Sequence, residues 1–359
     1  MLARPRGENA RALACLCDGK CASIGDGHTA VYPPTEGELA WHLLPFFPVR
    51  LEDGWYVAAA PPEYAHLVGA KLLKAAGRDW QEMVDFTAGH LASDNAFTAR
   101  WLTAIGLQFA ELYALVSGGT DLKEVELVAE LADGTRVRAN LVAQPITRNP
   151  NAHWAPEGWT TPYEKAPLWL RDPTRLFYYE LLPETGVVYA RILQMADGEE
   201  QSLAEYGRAL REFFTGNDAR ALILDLRLNN GGDANQARDL IDELIRTPGL
   251  EKPGSLAVLT GPRTFSATGY LLGMMEKHLA PVLVGWPTGC RPVGYSSERS
   301  FRLPYSGLSG SISHELRVDG NSTDDVRPSF FPHHPVWPTG EDLRQSRDPV
   351  LATALQALR

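Results

Sequence analysis

The chain has 359 residues, 44% of them hydrophobic and 22% charged, with a formal net charge of −10 at pH 7. That length leaves room for two or three domains with real cores, and the acidic balance makes nucleic acid and anionic membrane surfaces poor partners. No apolar run approaches the roughly 18–20 residues that cross a bilayer. The N-terminus carries basic residues but no apolar segment of signal-peptide length, so the chain as given is expected to be cytoplasmic, or extracytoplasmic if its start is truncated. Four cysteines are too few for a disulfide scaffold. Cys15, Cys17 and Cys21 cluster in a C-x-C-x3-C spacing that matches no common zinc pattern, and Cys290 stands far away, so free thiols are expected.

In chain order, residues from about 9 to 24 read as the end of a helix, and Gly25-Asp26-Gly27-His28-Thr29 as a turn entering a strand. A short N-terminal segment (1–50) is followed by a β-rich module (51–145). In the module, WYVAAA (55–60) reads as a strand and 64–69 as a short helix. Residues 97–115 read as a helix with Trp101, Ile105, Gln108, Phe109 and Leu112 on one side. The runs 125–131 and 135–142 flank Asp133-Gly134, a hairpin turn signal. A Pro-, Trp- and Asn-rich stretch (146–174) without periodicity reads as a linker, with Trp154, Trp159 and Trp169 packing at a junction.

The remainder (175–359) reads as an α/β domain. Its first clear strand is 187–193, and Ser202 with Glu205 forms a capping box ahead of a helix. ALILDLRL (221–228) is apolar enough for a strand buried on both faces. It breaks at Asn229-Asn230-Gly231-Gly232-Asp233 and is followed by a helix with Ala237, Leu240, Ile241, Leu244 and Ile245 on one face. A strand at LAVLTG (256–261), a helix carrying Leu271, Leu272, Met275 and Leu279, and a strand at PVLVG (281–285) complete a parallel βαβ series. The loops after such strands are where these sheets place their sites, and Ser266 stands there at a helix start. Asp225 and Arg227 read as an internal ion pair, and the adjacent His333 and His334 point apart on a strand and make a poor metal pair.

Five segments together resemble the tail-specific protease family, which includes the C-terminal processing proteases, the tricorn core and retinoid-binding repeats. They are SIGDGHT (23–29), DLRLNNGG (225–232), VLTGPRTFSAT (258–268), VGWPTGCRP (284–292) and DDVRPSFFPHHPV (324–336). The resemblance implies an α/β fold: a parallel βαβ spiral core like that of ClpP and crotonase, with the β-rich module as a PDZ-like insert that binds peptide ends. It implies Ser266 as nucleophile, with an oxyanion hole from the backbone N–H of Ala267 and that of Gly231 or Gly232. One branch of the family takes its base from a lysine in G-x-x-T-x-G-K, but here Cys290 and Arg291 occupy the last two places, and arginine cannot accept the proton. The tricorn-like branch uses a histidine, which His28 matches, supported by an acid for which Asp324 or Asp325 is the candidate. Tricorn-like sites place a serine where this chain has Gly27.

The expectation is therefore a serine peptidase acting on peptide or protein substrates, with no cofactor, no metal and a possible homo-oligomer. The alternative is a non-catalytic peptide- or ligand-binding protein on the same scaffold, motivated by Arg291, Gly27 and His333. A separation of more than about 6 Å between His28 and Ser266, beyond any hydrogen bond, would favour it. A crotonase-like acyl enzyme would need a coenzyme site, for which no adenine- or phosphate-binding feature is present.

Overall fold

The computed structural model describes residues 22–37, 39–118, 123–152, 155–320 and 322–358. Cys15, Cys17, Cys21, Trp154 and residues 9–21 of the helix expected at the N-terminus lie outside them. Among the described residues no helix is long and apolar enough to cross a membrane.

The strand β1 (Ala30–Val31) follows the His28 turn. A short β2 (His42–Leu43) leads into β3 (Phe47–Leu51), β4 (Gly54–Ala59), β5 (Lys71–Ala75) and β6 (Arg78–Asp79). The helix Trp80–Ala88, which the sequence reading did not identify, follows directly. The expected helix at 97–115 is two helices, Ala96–Gly106 and Ala110–Val116. Gly106 abuts Thr87 and Leu91 of the preceding helical layer, and the chain turns at Leu107–Phe109, which puts Phe109 in an extended conformation ahead of the second helix. The expected hairpin is β7 (Glu124–Glu130) and β8 (Arg136–Val142), fully in register around Asp133-Gly134. A short β9 (Gln144–Pro145) pairs back on β2. The order β3-β4-β5-β7-β8 makes one sheet, whose apolar face closes with the helices over Phe46, Trp55, Val57, Leu72, Trp80 and Tyr113.

The second sheet is the parallel core. It runs β10 (Phe177–Leu182), β11 (Val187–Ile192), β12 (Ala221–Asp225), β13 (Leu256–Thr260) and β14 (Val282–Gly285) in chain order. From β11 onward each strand is parallel to the last, as the βαβ series predicts, while β10 is an antiparallel edge that the sequence reading missed. Every residue of β11, β12 and β13 is buried. Alternate residues face opposite layers: Leu222 and Leu224 meet the crossover helices, while Ala221 and Ile223 face the C-terminal helix Pro349–Ala357. That two-sided burial explains the unbroken apolar runs in the sequence. The crossover helices are Leu203–Gly216, with the expected Ser202–Glu205 capping box, Ala234–Ile245 and Ala267–His278. Ile245 departs from the expected buried face and is exposed.

After β14 comes a long hairpin, β15 (Val293–Arg302) and β16 (Ser309–Val318), which the sequence reading also missed. It forms a third sheet with β1 in the order β1-β16-β15. This pairing ties the N-terminal segment to the far end of the chain. A final short strand, β17 (His334–Pro335), adds parallel to β14.

Candidate active site

Two turns at the ends of β12 and β13 build the floor of the site. Asn229 is fully buried and acts as their pin. Its Nδ2 donates to the Ile192 carbonyl (3.1 Å), and its Oδ1 accepts from the Gly231 N–H (2.9 Å) and the Thr268 hydroxyl (2.7 Å). Its own carbonyl accepts from the Phe265 N–H at 3.1 Å. The loop after β12 and the first turn of the Ala267–His278 helix are thereby locked to one another. The glycines follow from close approach: at Gly231, φ +102°, a Cβ would lie 2.5 Å from the Cβ of Ser266. At Gly232, φ +136°, it would lie 2.2 Å from the Met195 carbonyl oxygen.

Ser266 takes the N-cap position of its helix with φ +56° and ψ −126°, a conformation costly for a residue with a Cβ. Its side chain makes no capping bond. Instead Oγ lies 3.0 Å from Nε2 of His28, a residue 238 positions earlier. The imidazole is 7% exposed and stacks on Phe265 with ring centroids 4.6 Å apart, and Trp101 packs against Phe265 in turn. Burial holds the His28 pKa below the usual histidine value, an effect reinforced by Arg317 and opposed by Asp26 and the Tyr295 carbonyl. The ring is therefore neutral at pH 7, and the tautomer protonated at Nδ1 leaves a lone pair at Nε2 facing Ser266.

The other ring nitrogen, Nδ1, is buried with no hydrogen-bond partner of good geometry. The nearest carboxylate oxygen with which it makes a charge contact is Oδ1 of Asp26, at 3.8 Å. Asp26 is itself held by the Thr29 hydroxyl (2.5 Å), the Ser313 hydroxyl and the His28 N–H (3.2 Å). The resemblance's acids are not brought there. Asp324 is exposed on a turn, its N–H on the Ser322 hydroxyl. Asp325 is spent on Arg327, whose guanidinium also pairs with Glu276 and holds the Asp325 carboxyl below its usual range. The loop that carries both acids is anchored by that ion-pair cluster, away from the imidazole.

Of the expected oxyanion donors, Gly231 has its N–H committed to Asn229. The N–H groups of Gly232 and Ala267 have no partner among the described residues, and Gly232 lines the same cleft as Ser266. Ala267 N–H adds the positive end of a helix of 12 residues. The cleft, about 750 Å³, runs past His28, Asp233, Arg238, Tyr270, Glu298 and Arg317.

Several site residues were not identified from the sequence. Asp94, from the module, accepts from the Gly27 N–H at 2.6 Å, and Asn95 caps the Ala96–Gly106 helix while its Nδ2 donates to the carbonyls of Thr288, Gly289 and Pro328. Arg291, where one branch of the family carries lysine, clamps the carbonyls of Asp94 and Gly25 (Nη2 to Gly25, 3.3 Å). Gly27 is explained by packing, since a Cβ there would sit 2.9 Å from the Phe265 ring. Asp225 and Arg227 do pair, inside the core and together with Asp348.

Residues 186–252 match the model of Peptidase family S41. No curated protein sequence matches the chain. Among solved structures, mature CPAF complexed with lactacystin is 15% identical with a TM-score of 0.65, over 97% of this chain and 88% of that one. Mature CPAF alone is 15% identical with a TM-score of 0.63, over 97% and 85%. At such identity these two are likenesses of fold. Over residues 186–252 the chain is thus similar to Peptidase family S41, and over nearly its whole length it shares the fold of mature CPAF.

Proposed function

We propose that the chain is a serine peptidase in which Ser266 is the nucleophile and His28 its general base. The family match supports a hydrolase of peptide bonds, and the 3.0 Å approach of a neutral, buried imidazole to the Ser266 hydroxyl carries the assignment. Oγ attacks the substrate carbonyl as Nε2 takes its proton. The developing oxyanion is received by the N–H groups of Ala267 and Gly232, Gly231 being committed to Asn229. The imidazolium then protonates the leaving amine, and water repeats the sequence to release the acyl group. Asp26, rather than Asp324 or Asp325, is the carboxylate that stabilises the imidazolium, and a shift of under an ångström of ring or carboxylate closes its 3.8 Å gap to a hydrogen bond.

The β-rich module (51–145) supplies Asp94, Asn95 and Trp101 to the site's backing, so it serves the catalytic centre as well as any peptide-binding role. Labelling with a fluorophosphonate probe tests the proposal. The wild type should label at Ser266, and Ser266→Ala and His28→Ala should not. A folded wild type that neither labels nor cleaves peptides defeats it. Labelling that survives His28→Ala replaces the base.

A further inference from the structure

One wall of the cleft that holds Ser266 is the hairpin strand β15, which supplies Ser296, Ser297 and Glu298. Among the described residues β15 pairs only with β16, so its other edge is free. Ser313 of β16 turns its N–H to the Thr29 hydroxyl (3.2 Å), away from β15, and Glu298 stands directly across from it. In an antiparallel pair, two residues opposite one another either exchange their main-chain bonds or both turn them outward. The N–H and carbonyl of Glu298 therefore point to the free edge, open to an extended peptide laid along the strand. Ser296 in the same wall is 5% exposed, and its Oγ is buried without a hydrogen-bond partner. A hydroxyl left unpaired at that depth is costly, and in the cleft wall it is placed to be satisfied by a ligand.

The charges of the cleft are unevenly matched. Arg317 pairs with Asp319 at 3.1 Å, and Arg238 is bonded to Tyr270 with Asp239 and Asp242 nearby, so both cations are engaged. Asp233 accepts from the Asn235 N–H as a helix cap, and Glu315 accepts from the Ser297 hydroxyl. The Glu298 carboxylate makes no hydrogen bond or ion pair among the described residues. Partial burial and the charge of Asp26 push its pKa up, the direction expected of a carboxyl without a cation. Asp26 also fixes where this carboxylate stands: it contacts His28 Nδ1 at 3.8 Å and lies close enough to Glu298 for its charge to act there. The unpaired acid is therefore beside the reacting pair.

We propose that Glu298 is a specificity-determining residue, which binds the ammonium or guanidinium of a substrate lysine or arginine so that extended chains are cut beside basic residues. The proposal rests on Ser266 and His28 being the catalytic pair. A cationic side chain completes the one carboxylate that the fold leaves unmatched, whereas a neutral one leaves it unpaired and an acidic one meets like charge from both Glu298 and Asp26.

Binding is measured by calorimetry on Ser266→Ala, which keeps the cleft and needs no activity. The probes are short capped alanine peptides with one central lysine, arginine, norleucine or glutamate. The two basic peptides should bind about tenfold tighter than the norleucine peptide, and the glutamate peptide weakest. Glu298 is exposed on an edge strand, so Glu298→Gln and Glu298→Lys should fold. In the same background the first should abolish the preference and the second should reverse it in favour of glutamate, which a merely structural role of Glu298 would not do. In the active protein, cleavage sites mapped by mass spectrometry on denatured casein should be enriched in flanking lysine and arginine, and Glu298→Gln should remove the enrichment. Affinities that do not differ among the four peptides, absence of binding included, overturn the proposal, as does a preference that survives Glu298→Gln. A preference seen only with uncapped peptides transfers Glu298 to the substrate's α-amino group and overturns the side-chain reading. Casein cut without regard to basic residues overturns the specificity and leaves the peptidase reading intact. The expected binding pattern, with a wild type that neither labels nor cleaves, defeats the peptidase reading and leaves the cation subsite standing.

Discussion

Replacing Asn229 by alanine should cost both stability and rate, because one fully buried side chain joins the strand, the glycine turn and the helix that carries Ser266. The substitution removes three hydrogen bonds. The Thr268 hydroxyl keeps a longer contact with the Asn229 carbonyl (3.3 Å), so two groups, the Ile192 carbonyl and the Gly231 N–H, are left without a partner. A buried orphan costs about 1–3 kcal/mol, so the sum is about 2–6 kcal/mol. That corresponds to a fall in melting temperature on the order of 10 °C. A freed Gly231 turn also loosens the amide of Gly232, and loss of one aligned oxyanion donor costs about 10²–10³ in kcat. Partial misalignment should therefore lower the labelling rate about tenfold to a hundredfold, with little change in KM for a peptide. The assay pairs thermal melts by circular dichroism with fluorophosphonate labelling well below the melting point. A melting temperature within about 2 °C of wild type, too small for an orphaned buried group, would refute the pinning argument. Destabilised protein that labels at the wild-type rate would confine Asn229 to a structural role.

Gly231→Ala puts a Cβ 2.5 Å from that of Ser266. The serine must move, and a shift of about an ångström should cost about 10²-fold in labelling, measured beside a melt that shows the protein folded. Because the His28 pKa is lowered in the fold, the labelling rate should rise with pH through a midpoint below 6.5, and a midpoint above 6.5 would contradict the burial of a neutral base. The same shift makes the fold less stable in acid: stability has its full value above the unfolded value near 6.5 and falls as pH drops from there through the folded value, which urea melts from pH 8 to 5 would follow. Asp26→Asn should slow labelling about tenfold to a hundredfold and move the midpoint further down, since the Asp26 charge is the main influence raising it. An unchanged midpoint would mean that Asp26 only holds the turn. Asp348→Ala removes a bidentate partner of Arg227 and the cap on Leu351 while leaving Asp225 in place. It should cost about 1–3 kcal/mol with labelling unaffected below the melting point.

The core was legible because its strands are buried on both faces, and apolar runs such as 221–225 and 256–260 have few other uses. The Ser266 helix start and the glycine turn were legible for a related reason, since close approach leaves a local mark. The hairpin β15–β16 was not. Its sequence alternates serine, charge and occasional apolar residues, and the face bearing Tyr295, Leu316 and Ile312 is exposed, so no period-2 contrast advertises it. Asp94 and Asn229 have no local signature: each is defined by partners 67 or 37 to 39 residues away. The resemblance points to Asp324 and Asp325 as the acid, whereas the carboxylate that makes a charge contact with His28 Nδ1, Asp26, stands in the SIGDGHT segment, two residues before the histidine. Contact between neighbours in a turn depends on rotamers, which a sequence does not display.

The pairing of β1 with β16 has a consequence for biosynthesis. His28 emerges from the ribosome early, but the groups that hold its turn, Ser311 on the His28 carbonyl and Ser313 on Asp26, follow 283 and 287 residues after their partners. Ser266 comes between them. A nascent chain carrying both His28 and Ser266 therefore still lacks the strand that seats the histidine. Under the assignment proposed for Ser266 and His28, the site is therefore complete only once the hairpin has been made.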